Sequence, residues 1–84
     1  MHDFHLADSI YRAIMKEAEI RNLKKITKAA IEIGSIVEHG EEVLPENLDF
    51  NIRMLAEGGM AENLELEISK TAGDNWMLKE IEGN

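Results

Sequence analysis

Apolar residues recur at helical spacing from Leu6 to about Arg21. Leu6, Ile10 and Ile14 lie four apart, and Ala7, Tyr11 and Ala18 widen the stripe. Lys16, Glu17 and Glu19 fall mostly on the other side. Asp3 or Asp8 stands near the start, where a carboxylate suits free backbone N–H groups, and Arg21 and Lys24 stand toward the end. This pattern predicts a helix. From Lys25 to Gly34 the period changes to two: Ala29, Ile31 and Ile33 alternate with Lys28, Ala30 and Glu32, as in a strand with one buried face. The stretch Ser35–Leu44 has no sustained period, contains His39-Gly40-Glu41-Glu42, and reads as a loop. Pro45 suits the first position of a second helix, because its missing N–H would be unpaired there. That helix carries Leu48, Ile52 and Leu55 on one stripe, supplemented by Phe50 and Met54, and stops at Gly58-Gly59.

Leu64, Leu66 and Ile68 alternate with Glu65, Glu67 and Ser69, which predicts a second strand. Lys70–Asn75 reads as a turn, and Trp76–Glu82 as a third strand with imperfect alternation. Two strands joined this closely predict an antiparallel hairpin. Met15, Met54, Met60 and Met77 are expected to pack the core, with Trp76 as a core or sheet-face anchor. The fold class is α+β: two helices packed on one face of a small, mostly antiparallel sheet of three to four strands, with residues 1–84 as a single domain.

The chain has 84 residues, of which 44% are hydrophobic, enough for a thin globular core. Nine Lys/Arg against 17 Asp/Glu give a formal charge of −8. Such a surface repels phosphate backbones, so neither nucleic acid nor an anionic membrane surface is an expected partner. There is no cysteine. Disulfides and thiolate chemistry are thereby excluded, and the expected compartment is the cytoplasm. No apolar run reaches the roughly 18 residues of a membrane span, and Met1-His2-Asp3 lacks the basic-then-apolar profile of a signal peptide.

Little catalytic chemistry is available. Ser9, Ser35 and Ser69 have no nucleophile context, Glu41-Glu42 reads as solvated surface, and no glycine-rich phosphate cradle is present. The amino terminus differs. His2 follows Met1 directly, and a bulky second residue ordinarily keeps the initiator methionine in place. The α-amine, the His2 amide and imidazole nitrogens and the Asp3 amide can then close adjoining chelate rings on one metal. Four in-plane nitrogens suit Ni(II) or Cu(II) better than Zn(II). The other reading makes Asp3 a helix N-cap and His2 an ordinary surface residue. His5 could approach the same metal or be an exposed first-turn histidine. His39, among Glu38, Glu41 and Glu42, is either an accessory ligand or a solvated loop residue.

Taken in order, several segments resemble the HypA family, the nickel-incorporation chaperones for nickel–iron hydrogenase and urease. Met1-His2-Asp3 followed by an aliphatic helix resembles the family's MHE/MHD start, and Ile31-Glu32-Ile33-Gly34 its strand ending in IG. Pro45-Glu46-Asn47-Leu48-Asp49-Phe50, running on to Met54-Leu55 and Gly58, resembles its second helix. Ala61–Ile68 and Lys79-Glu80-Ile81-Glu82 resemble its last two strands. The resemblance implies a metallochaperone module rather than an enzyme. His2 would be the nickel ligand, and Met1 and Asp3 would contribute backbone nitrogens. Its implied partners are a maturation GTPase and a hydrogenase large-subunit precursor. Between its final strands the family inserts a zinc-binding lobe with paired CxxC motifs. Here only Lys70–Asn75 stands in that place, so Ni(II) is expected and zinc is not. The loop Ser35–Leu44 is longer than the family's usual connection. Loss of the lobe leaves a second possibility open, a metal-independent adaptor that keeps the HypA-like fold.

Overall fold

The computed structural model describes residues 4–38 and 40–84. Two helices, α1 (Phe4–Ile20) and α2 (Pro45–Ala56), cover a sheet formed by β1 (Ile26–Ile33), β4 (Glu65–Lys70) and β5 (Trp76–Gly83). Two short strands, β2 (Val37–Glu38) and β3 (Glu41–Glu42), form a separate ribbon. The α+β class and the two-helix layer are as expected from the sequence. Helix α1 buries Leu6, Ala7, Ile10, Ile14 and Ala18, and α2 buries Leu48, Ile52 and Ala56. Against them β1 presents Ile26, Ala29, Ile31 and Ile33, each at most 1% exposed. Among the described residues no polar or charged side chain is buried. The core is held by apolar burial, at about 25 cal/mol per Å² removed from water.

The sheet order is β4-β1-β5, with β1 parallel to β4 and antiparallel to β5. The sheet is therefore mixed, not mostly antiparallel, and the expected β4–β5 hairpin does not form. A parallel pair needs a crossover, and α2 supplies it between β1 and β4. Residues 71–75 then arch over the end of β1 to reach its other edge. Thr71 N–H bonds the Ile33 carbonyl (2.9 Å), Gly34 N–H bonds that of Asn75 (2.7 Å), and Ser35 N–H bonds that of Gly73 (2.8 Å). The end of β1 thus occupies the place that a hairpin partner would have taken.

The uneven alternation of Trp76–Glu82 also has a cause. Ala30 pairs with Glu80 but Ile31 with Leu78, so Lys79 is an extra residue in β5. This bulge lets Trp76, Leu78 and Ile81 all turn toward the helices despite their spacing. A second shift, between Ile26 and Lys28, makes Thr27 the extra residue in β1 and keeps both Ile26 and Ala29 buried.

Three expectations on side chains are corrected. The stretch Ser35–Leu44 is not a featureless loop, since it holds the β2–β3 ribbon, with Ile36 and Val43 packed on the core. Phe50 and Met54 do not extend the buried stripe of α2; they are 63% and 49% exposed. Met77 lies on the uncovered face of β5 and is likewise exposed, whereas Met15, Met60 and Trp76 pack against the core.

Candidate functional site

Helix α1 and strand β1 fix where the amino terminus attaches. Asn22, with φ 58°, turns the chain sharply after α1, and the backbone then re-enters the sheet at Ile26. The 17 residues of α1 rise about 25 Å, and the 8 residues of β1 extend about 26 Å. The helix start and the strand end accordingly lie toward the same end of the domain. That end also carries the ribbon and the 71–75 arch.

Met1, His2 and Asp3, the proposed nickel donors, precede α1 and lie outside the described residues, as does His39. His5 is on the first turn of α1 and exposed. Among the described residues, no group of three or more His, Asp or Glu side chains could hold a metal ion. Asp8, the other candidate near the helix start, lies one turn further on and pairs with Arg12 at 2.9 Å.

A polar cluster at this end was not apparent from the sequence. Lys70, the last residue of β4, directs its ammonium to Glu42 Oε2 (2.7 Å) and to the Gly34 carbonyl (3.2 Å). Ser35 donates its hydroxyl to the same Glu42 oxygen (3.1 Å). One lysine thereby ties the ribbon to the end of β1 and to the start of the arch. The Lys70 hydrogen bond, reinforced by that of Ser35 and by the lysine charge, holds the Glu42 carboxyl below the usual glutamate range. On the uncovered face of the sheet, ion pairs with Glu67 first, then the charges of Glu82 and Glu65, raise the Lys28 ammonium above its ordinary value.

The Glu42 shift has a defined sign. A depressed folded-state pKa adds stability above the unfolded value, and that contribution disappears as pH falls through the folded one. Followed by carboxyl carbon NMR, Glu42 should titrate below an ordinary glutamate. Lys70→Met should return its midpoint upward and increase amide exchange in the ribbon. A midpoint that Lys70→Met leaves in place would remove the lysine from this role. Because these groups are exposed, the change in global stability should be small.

The polar groups at this end, Ser35, Glu42 and Lys70, make hydrogen bonds and an ion pair with one another. A family model described as "Hydrogenase/urease nickel incorporation, metallochaperone, hypA", a class of metallochaperones, matches residues 1–77. The chain belongs to the HypA family. It is 27% identical over 92 residues to hydrogenase maturation factor HypA of Thermococcus onnurineus, covering 100% of this chain and 63% of the relative. It is 30% identical over 74 residues to the factor of the same name from Archaeoglobus fulgidus, covering 88% of this chain and 64% of the relative. The chain thus spans less than two thirds of the length of these relatives. A solved structure, described as the solution structure of the Ni metallochaperone HypA from Helicobacter pylori, superposes with a TM-score of 0.78 at 13% identity. That superposition covers 99% of this chain and 97% of the other, and shows a shared fold. No helix among the described residues is long and apolar enough to cross a membrane.

Proposed function

We propose that this chain is a nickel-binding metallochaperone domain that carries Ni(II) as cargo at Met1-His2-Asp3. The donors are the α-amine, the His2 amide and imidazole nitrogens and the Asp3 amide. The observation that carries the reading is the family match, which begins at residue 1 and so includes this tripeptide. Two further features support it. The donor set is local in sequence and needs no folded pocket, and a four-nitrogen plane suits a d⁸ ion. A domain whose described residues bury no polar side chain can therefore still hold the metal at its edge. The cargo would pass to a hydrogenase large-subunit precursor with the help of a maturation GTPase, in the cytoplasm. The segment 70–75 would stand where relatives carry a zinc lobe, making residues 1–84 a single nickel domain.

Nickel titration of protein with an authentic amino terminus tests this reading. One-to-one binding should give a yellow, diamagnetic complex. His2→Ala, or two residues added before Met1, should each weaken it by about a hundredfold or more, since each removes donors from the chelate. Affinity that survives both changes would sink the site. No binding by the unmodified chain would favour the adaptor reading, for which the absence of cysteine and the short 70–75 connection speak.

A further inference from the structure

The exposed apolar pair on α2 is independent of the nickel reading. Helix α2 turns about 100° per residue, so Leu48, Ile52 and Ala56 point into the core while Phe50 and Met54, one turn apart, share the outer side. They border an open groove of about 380 Å³ between α2 and the turn that follows it, completed by Arg53, Glu57, Glu62 and Asn63. A single exposed apolar side chain is ordinary. Two large ones in adjacent turns beside a groove form a continuous surface, and Phe and Met are residue types that interfaces favour.

The charges around this surface select the occupant. Arg53 is already engaged: its Nε lies 2.6 Å from Asp49 Oδ1, and its Nη1 bonds the Leu64 carbonyl at 3.0 Å. Glu57 and Glu62 are exposed and make no ion pair among the described residues. The groove is therefore lined by two apolar side chains and two acidic ones without a paired cation among the described residues. A second copy of the chain would set Glu57 and Glu62 against themselves, and like charges facing each other suppress association. Phosphate-bearing surfaces are repelled for the same reason. We infer that the outer face of α2 docks a basic amphipathic segment of another protein, with Phe50 and Met54 as apolar anchors and Glu57 and Glu62 as counter-charges.

Two synthetic probes test this on the isotope-labelled full chain: an amphipathic leucine–lysine helical peptide and its leucine–glutamate twin. The lysine peptide should shift amide resonances of Phe50, Met54, Glu57 and Glu62 saturably, and the glutamate twin should not. Phe50→Ser combined with Met54→Ser should weaken binding about tenfold or more and leave the melting temperature nearly unchanged, because both side chains are exposed. Glu57→Lys with Glu62→Lys should exchange the preference between the two peptides. Shifts spread over the whole acidic surface, equal response to both peptides, no response at all, or dimerisation through this face on concentration would each overturn the proposal.

Discussion

Ile31→Asp is expected to leave the chain unfolded at 25 °C. Ile31 sits mid-way along the central strand, pairs with Ile68 on one side and Leu78 on the other, and is 1% exposed. The substitution removes a buried isoleucine, at about 2–3 kcal/mol, and puts an unpaired carboxylate into a core with no polar partner, at several kcal/mol more. Domains of this length have total stabilities on the order of 4–13 kcal/mol. A thin core lies toward the low end, so the loss is comparable to the whole. Far-UV circular dichroism and amide shift dispersion provide the measurement. Ser69→Asp on the exposed side of β4 is the control and should change stability by no more than about 0.5 kcal/mol. An unchanged melting temperature in Ile31→Asp would contradict the position of β1.

Gly34→Ala should cost about 2–3 kcal/mol and lower the melting temperature by about 10 °C or more. A Cβ at Gly34 would run into the Gly73 carbonyl oxygen, with the carbonyl carbon at 2.7 Å and the Asp74 nitrogen at 3.1 Å. These are backbone atoms and cannot rotate aside as a flexible side chain would. Relief requires lifting the arch, which breaks the Gly34–Asn75 and Ser35–Gly73 hydrogen bonds. Gly59→Ala is the comparison, because its Cβ would meet Ala56 and Tyr11 atoms only at 3.5 Å. Its effect should be small. Thermal denaturation of both, with amide exchange at Ser35 and Thr71, separates a lifted arch from general loss of stability.

Periodicity revealed which faces are buried and left open which strands are neighbours. Leu6, Ile10, Ile14 and Ala18 mark a helix because local spacing alone sets one face of it. Leu66 and Ile68 mark a strand in the same way, but nothing in their alternation says whether β5 or β1 lies alongside. The short 70–75 connection argued for a hairpin; the helix between β1 and β4 was the competing signal, since a strand–helix–strand order favours a parallel crossover. The outward position of Phe50 was legible, because two residues on from Leu48 a helix has turned past its far side. Counting apolar residues obscured it. The nickel donors could be proposed from sequence because they are consecutive. The Lys70–Glu42 tie could not, because it joins residues 28 apart that only the folded sheet brings together.

The strand order also governs how this chain forms during synthesis. β1 is made early, yet its two neighbours come late: Ile31 waits for Ile68 on one edge and Leu78 on the other. Beyond β5, Asn84 ties back to the start of β1, since its N–H bonds the Lys25 carbonyl and its carbonyl accepts the Lys24 N–H. Long-range pairing of this kind delays folding until the distant partners are available. A nascent or truncated chain would hold an unpaired, apolar β1 with both edges open, a state prone to aggregate. The segment ahead of α1 is synthesised before any strand, but the scaffold behind it is complete only once β5 has been added.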